Sequence, residues 1–135
     1  MDALRGTALA YGAAIAVHTA DHLRRGLDAS PHAVIALGYA ALAAQVLVIG
    51  AALAGHRLAP VAALAFGAAD ALGVVAVHLV PRWSGLSDPF PGAVPGANVT
   101  ALSWVTAVVE VLAALAFAYA GWRRSFGARA GAAAA

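Results

Sequence analysis

Four residues with metal-binding side chains lie near the ends of two apolar segments. His18, Asp21 and His22 are separated by three and four residues, the spacings that share one side of a helix. His78 lies near the end of another apolar segment, three residues before Pro81. Imidazole and carboxylate groups bind divalent transition metals. The spacing therefore predicts a metal site formed by His18, Asp21, His22 and His78, without distinguishing zinc, copper and iron.

The same histidines fit two other interpretations. His18 and His78 lie at similar depths in their segments and can serve as the axial ligands of a haem. Polar side chains at helix ends can also lie hydrated at a membrane surface, with no ligand role. The residue types alone leave these alternatives open. The grouping of His18, Asp21 and His22 on one segment favours a metal ion over haem.

A second group of polar residues lies in the middle of the apolar segments. Gln45, Asp70 and Glu110 each fall near the midpoint of a segment, and no arginine or lysine lies at this depth. A charged residue at the centre of a membrane helix costs about 2.5–3.5 kcal/mol and is a candidate for function. Two carboxyl groups without a cation can share a proton or bind a cation. The alternative is a set of hydrogen bonds that holds the helices together.

Two hydroxyl groups extend this second group. Tyr11 lies seven residues before His18, and Ser103 lies seven residues before Glu110. A separation of seven residues is two helical turns, so each pair shares a helix face. We therefore predict an outward-opening polar cavity in which Tyr11, Gln45, Asp70, Ser103 and Glu110 relay protons.

Four apolar segments position these residues. A membrane-spanning helix needs about 20 mainly apolar residues, and this condition selects segments 4–23, 32–54, 60–80 and 99–121. The loop 81–98 contains four prolines and cannot be helical throughout. We expect residues 1–127 to form a single transmembrane domain, and the alanine-rich tail 128–135 to be disordered.

The composition indicates a chain surrounded by lipid. It is 63% hydrophobic and 10% charged, whereas soluble domains are about 25% charged. We therefore predict an all-α integral membrane four-helix bundle. The absence of cysteine excludes disulfides and thiolate ligands. The arginines form no basic stripe with interleaved aromatic residues, which argues against a nucleic-acid partner.

The distribution of arginine predicts the orientation in the membrane. Cytoplasmic loops carry an excess of basic residues, and the two sides carry five and three arginines, namely Arg5, Arg57, Arg123, Arg124 and Arg129 against Arg24, Arg25 and Arg82. We therefore expect an antiparallel up-down-up-down bundle with both termini in the cytoplasm and loop 81–98 outside. The first segment lacks a clear cleavage site, so we expect a retained helix and not a signal peptide. Rich use of alanine, glycine and arginine suggests a GC-rich bacterial genome and hence the bacterial cytoplasmic (inner) membrane.

These observations predict a small multi-pass membrane protein whose polar cavity binds a metal ion or relays protons, in a redox or transport setting. The alternative is a non-catalytic accessory subunit, held by its polar residues in a homo-oligomer or a larger membrane complex. An enzyme with a membrane-embedded histidine–metal centre is a third interpretation, although a di-metal hydroxylase would need more histidines. The sequence contains neither a phosphate-binding glycine-rich loop nor a serine-hydrolase motif.

Overall fold

The computed structural model describes residues 2–127, which form four α-helices joined by turns, without a strand. The helices are α1 Ala3–Arg25, α2 His32–Leu53, α3 Ala59–Val74 and α4 Ala101–Trp122. Helices α3 and α4 each continue into a π-helical turn, Val75–Leu79 and Arg123–Gly127. The prediction of an all-helical chain with four helices is confirmed for these residues. The predicted disordered tail 128–135 lies outside them.

Three of the helical stretches are long and apolar enough to cross a membrane. They are His32–Leu53, Ala59–Leu79 and Ala101–Gly127, with mean hydropathies of 2.1, 1.9 and 2.0. Helix α1 has a comparable length of 23 residues, but its arginines and histidines make it less apolar. These properties indicate a membrane protein in which α1 is the most polar of the four helices.

Helix α1 extends two residues beyond its predicted end at Leu23. Arg24 and Arg25 continue the helix, and it stops at Gly26, whose φ of 96° is open mainly to glycine. At the other end, the Asp2 carboxylate accepts a hydrogen bond of 2.9 Å from the backbone N–H of Arg5 and caps the helix. The longer α1 places its histidines deeper below the helix end than the segment boundaries had predicted.

Small residues bring α3 and α4 into close contact. Ala63, Gly67 and Ala71, spaced four residues apart, are all buried. A Cβ atom on Gly67 would lie 2.6 Å from the backbone oxygen of Ala114 on α4, which is too close for any side chain. This stripe of small residues therefore has a packing role. Helices associate in lipid through such close backbone contacts, because the burial of apolar side chains between helices contributes little free energy there.

Helix α2 is the most loosely packed of the four. Its buried residues are Val34 near the start and Gln45, Val48 and Ala52 in the second half. The stretch between Val34 and Gln45 buries no residue, and a cavity of about 640 Å³ lies between it and the neighbouring helices. The cavity therefore follows from a gap in the packing of α2.

The loop after α3 folds back on the end of that helix. The backbone N–H of Asp88 donates to the carbonyl of Val77 at 3.0 Å, and the N–H of Phe90 donates to the carbonyl of His78 at 2.8 Å. Carbonyls in the last turn of a helix have no partner within the helix, so the loop satisfies two of them. Phe90 is buried against the bundle. These contacts fasten the loop to the π-helical turn that carries His78.

Candidate metal centre

Three histidines from two helices converge at one end of the bundle. The ring centroids of His18 and His22 are 5.0 Å apart, and each lies 5.1 Å from the centroid of His78. One ligand nitrogen from each ring lies within 4.8 Å of the other two. His18 and His78 are buried, whereas His22 is half-buried. The residues described here thus contain a three-histidine cluster that can hold a metal ion.

The local structure explains this convergence. His18 and His22 are one turn apart on α1 and therefore share a face. His78 belongs to the π-helical turn Val75–Leu79. Such turns are frequent at functional sites, and they alter the angle at which the next side chain leaves the helix.

Two of the three imidazole rings are oriented by a hydrogen-bond partner at Nδ1. The Nδ1 atom of His78 lies 3.0 Å from the backbone oxygen of Asp88. A carbonyl oxygen only accepts, so this nitrogen carries the proton and Nε2 remains free to bind a metal. The Nδ1 atom of His18 contacts the Glu110 carboxylate on α4, which fixes its ring in the same way when the carboxylate is ionised. Metal-binding histidines usually make such a contact with a carboxylate or a carbonyl.

The remaining nitrogen of His18 supports a ligand role. Its Nε2 atom is buried and has no hydrogen-bond partner among residues 2–127. Leaving a buried polar atom unpaired costs about 1–3 kcal/mol, and a bound metal ion would remove this penalty. Zinc binds nitrogen at about 2.0–2.1 Å, so tetrahedral ligands lie roughly 3.3 Å apart. The upper limit of the separations between the ligand nitrogens of the three histidines is 4.8 Å in the structure.

The structure does not bring Asp21 into the histidine cluster. Its Oδ1 atom accepts a hydrogen bond of 2.8 Å from Nε of Arg24 on the same helix. Successive residues of an α-helix are rotated by about 100°, so Asp21 and His22 lie on opposite flanks of His18. The helical spacing that relates each of them to His18 therefore does not make them neighbours.

The polar residues predicted in the middle of the apolar segments make two separate side-chain contacts. Glu110 contacts His18, and Asp70 accepts a hydrogen bond of 2.6 Å from Nε2 of Gln45. The buried side chain of Tyr11 lies beside Asp70 and Gln45. Glu110 therefore belongs to the histidine cluster as well as to the deeper polar group.

The depth of each residue explains why Glu110 reaches His18. His18 lies seven residues before the end of α1 at Arg25, and Glu110 lies nine residues after the start of α4 at Ala101. At a rise of about 1.5 Å per residue, these positions correspond to depths of roughly 10 and 13 Å. The longer α1 thus places the His18 ring close to the level of the Glu110 carboxyl group.

Ser103 lies outside the cavity. Its hydroxyl oxygen accepts a hydrogen bond of 3.2 Å from Arg24, while the Thr106 hydroxyl donates to the backbone oxygen of Ser103 at 3.0 Å. Threonine hydroxyls in helices commonly bond to a carbonyl in the preceding turn. Neither hydroxyl therefore continues a polar path between the histidines and Asp70.

The cavity borders the histidine cluster and the deeper polar residues together. Its wall includes His18, His22, His78, Gln45, Asp70 and Glu110, and the rest of the wall is largely apolar. Of the polar residues predicted to share a cavity, these six line it, whereas Asp21, Ser103 and Tyr11 do not. The three-histidine cluster and Asp70 both border this cavity.

A buried ion pair next to the histidine cluster was not predicted from the sequence. It holds Asp88, whose backbone oxygen contacts His78. The Arg25 guanidinium donates two hydrogen bonds of 2.9 Å to the Asp88 carboxylate, which also accepts one of 2.7 Å from the Ser30 hydroxyl. Burial would raise the pKa of Asp88, but the hydrogen bonds from Arg25 and Ser30 hold it below its ordinary value. Arg25 had been interpreted only as an orientation signal. The sequence offers no spacing that links it to an aspartate in a distant loop.

The geometry does not fit a haem between His18 and His78. Axial ligands lie on opposite faces of a porphyrin, which needs a wide slot between the two rings. Here the rings are 5.1 Å apart, edge to face, and the His22 ring lies within 5.1 Å of both. No space remains between them for a macrocycle, so the cluster suits a single ion.

Comparisons with protein-family models, with curated proteins and with solved structures found no match for this chain. The functional interpretation therefore rests on the three-histidine cluster, its hydrogen-bond partners and the adjoining cavity.

Proposed function

We propose that this protein is an integral membrane protein that binds a divalent transition-metal ion through His18, His22 and His78. The observation that supports this most strongly is the convergence of three imidazole rings, two of which are held at Nδ1 by Glu110 and Asp88. Three protein ligands and one open position are typical of sites at which a metal acts on a bound molecule. All three histidines line the cavity, so a molecule bound to the metal would lie in it.

The ligand set narrows the class of metal. Three neutral imidazoles suit zinc, copper, iron or nickel, whereas magnesium and calcium prefer oxygen ligands. A metal ion in this position polarises an oxygen atom bound to it and lowers the pKa of a bound water. The proposed site therefore supplies Lewis-acid chemistry next to a largely apolar cavity.

The proposed arrangement in the membrane is antiparallel, with both termini in the cytoplasm of a bacterium and the metal centre near the outer surface. Arg124, near the end of α4, forms an ion pair of 2.7 Å with Asp2 at the start of α1. At the other end of the bundle, Arg24 donates to the Thr100 hydroxyl at 3.3 Å. These contacts join opposite ends of α1 and α4, which supports antiparallel neighbours. The arginine bias supports the orientation.

Single-cysteine labelling tests this orientation, because the native chain contains no cysteine. Gly85 and His56 are both exposed, one in the predicted outer loop and the other in the turn between α2 and α3. A reagent that cannot cross the membrane should label Gly85→Cys in intact cells and leave His56→Cys unlabelled until the cells are opened. The reverse pattern would contradict the orientation.

Proton relay is a second candidate function, favoured by the contact between His18 and Glu110. Glu110 and Asp70 line one cavity, and Gln45 and Tyr11 surround Asp70. These groups provide a series of proton donors and acceptors between the histidine cluster and the middle of the bundle. If relay occurs without a metal, transport of protons into vesicles should persist after treatment with a chelator. Loss of transport on chelation, with recovery on adding zinc, would favour the metal centre.

Metal stoichiometry tests the leading proposal. We expect about one transition-metal ion per chain when the protein is purified without chelator and analysed by elemental mass spectrometry. His18→Ala and His78→Ala should lose it, whereas His32→Ala is the matched control, because His32 is an exposed histidine outside the cluster. A native protein without metal under metal-replete conditions, or two cluster variants that retain it fully, would contradict the proposal.

Failure of that test would favour the accessory-subunit alternative. The exposed apolar side chains on the helices suit contact with partner helices as well as with lipid, as an accessory subunit requires. A native protein without metal that co-purifies with a defined membrane complex would support the accessory role.

A further inference from the structure

We infer that the cavity beside the histidine cluster binds a neutral, lipid-soluble molecule that carries a hydroxyl group on a long apolar chain. The inference rests on the proposed function, because the histidines that would hold the metal form part of the polar end of the cavity. It adds the class of molecule on which the metal centre acts.

The size and walls of the cavity suit an apolar body. Its volume of about 640 Å³ falls within the usual range of about 300–1,000 Å³ for small-molecule sites. Most of its wall is aliphatic or aromatic, with contributions from Ile15, Leu27, Val34, Leu42, Phe66 and Val74. Such a wall offers few hydrogen bonds to water or to a hydrated ion, so it favours an apolar occupant.

The polar groups of the cavity suit one oxygen-bearing head group. Nε2 of His18 and Oδ2 of Asp70 are buried and have no hydrogen-bond partner among residues 2–127. Both atoms belong to residues that line the cavity. A hydroxyl group can bind a metal through its oxygen and donate its hydrogen to a carboxylate. An alcohol therefore offers the two interactions that the histidine cluster with its ion and the carboxyl groups on the cavity wall can make.

Charge favours a neutral head group. Asp70 and Glu110 are acidic, and the cavity wall, as the structure describes it, includes no arginine or lysine. A divalent ion on the histidines balances two carboxylates. A fatty acid would add a negative charge without a cation to pair it, and an amine would add a positive charge beside the metal. Each is unfavourable in a site of low polarity.

The rim of the cavity gives access from the side of the bundle. Leu23, Leu37, Tyr39 and Phe66 contribute to the wall and are also exposed. Leu37 and Tyr39 lie on the apolar helix α2, in the stretch that buries no residue. In a membrane this opening faces lipid, so a lipid-soluble molecule can enter from the bilayer.

Photo-crosslinking tests the inference directly. The probe is hexadecanol with a diazirine in its chain, added to the metal-loaded protein in phosphatidylcholine vesicles, and the labelled residues are located by mass spectrometry. We expect labelling of the cavity wall on α2 and α3. Excess hexadecanol should compete with it, whereas palmitic acid and hexadecylamine should not.

A pair of glycine substitutions supplies the matched control. Gly73 lines the cavity, and a Cβ atom built on it meets nothing within 4 Å. Gly73→Leu therefore fills the cavity without displacing backbone, and should lose the competable labelling while keeping its metal. Gly50 is exposed, has the same open surroundings and lies outside the cavity, so Gly50→Leu should label as the native chain does.

The outcomes separate this inference from the metal proposal. Equal labelling of native and Gly73→Leu proteins, or equal competition by palmitic acid, would overturn the inference even if the metal is present. A chain that binds no metal but shows competable labelling of the cavity would contradict the proposed metal centre. The same result would support the binding of a lipid-soluble alcohol in the cavity.

Discussion

Replacement of Glu110 by glutamine tests the link between α4 and the proposed metal centre. Glu110 contacts Nδ1 of His18, and the side chains are only 7% and 5% exposed. Glutamine keeps the size of the side chain and a hydrogen-bond acceptor but removes the negative charge. The variant therefore isolates the contribution of the carboxylate to the basicity and orientation of the His18 ring.

The expected effect is a loss of metal affinity with unchanged stoichiometry at saturation. Loss of a partner that orients a metal-binding histidine typically weakens binding by about 10–100-fold, which corresponds to about 1.4–2.7 kcal/mol. We expect Glu110→Gln to fall in the upper half of this range. Because the contact is buried, water and salt screen the carboxylate only weakly.

The assay is competition between the detergent-solubilised protein and a chromogenic zinc chelator. Thr106→Val is the matched control, since Thr106 is buried one turn earlier on α4 and bonds only within its own helix. Its metal affinity should equal that of the native protein. His18→Ala should lose its ion during purification, so its residual affinity is measured at zinc concentrations high enough to load the remaining two histidines. In this background Glu110→Gln should have little further effect, because the ring it orients is absent.

Three results would refute this reasoning. The first is a Glu110→Gln affinity within about twofold of native, far below the loss expected for such a contact. The second is an equal loss in Thr106→Val, which would indicate a general effect of substitutions on α4. The third is full additivity with His18→Ala, which would show that Glu110 acts independently of that histidine.

Further predictions concern the loop, the helix contact and the excluded aspartate. Asp88→Ala leaves the buried Arg25 guanidinium without its carboxylate, so the free energy of unfolding should fall by roughly 3–5 kcal/mol. Chemical unfolding in detergent measures this loss, and a change below about 1 kcal/mol would contradict a buried pair. Gly67→Ala forces a Cβ atom to within 2.6 Å of backbone on α4 and should destabilise the bundle by about 1–3 kcal/mol. Gly50→Ala, which meets open space within α2, should not destabilise the bundle and should raise its stability by up to about 1 kcal/mol. Asp21→Asn should leave metal affinity unchanged in the chelator assay, since Asp21 pairs with an arginine; a large loss would restore Asp21 as a ligand.

The polar residues of the site were recognisable from the sequence because ionisable residues are rare in apolar segments. His18, His22 and His78 stand out in this way, and the structure brings them together. Asp70 and Glu110 stand out for the same reason, and both line the cavity. Residue type and approximate depth were sufficient to identify these five.

Partners between elements were not recognisable in the same way. His18 and Glu110 are separated by 92 residues in the chain, and Arg25 and Asp88 by 63. Neither pair has a spacing that identifies it. Arg25 also resembles any basic residue at a helix end, so its burial depends entirely on where the loop folds.

The sequence by itself determined four helices and the residue types that can bind a metal ion. In lipid, every backbone polar group needs a partner within the chain, so long apolar segments become helices whatever their neighbours are. Only the tertiary structure decided that Glu110 faces His18, that Asp21 points away from the cluster, and that a cavity opens beside α2. These outcomes depend on the rotation and axial offset of each helix. Close contacts such as that of Gly67 with α4 set both, and the order of residues along one helix does not encode them.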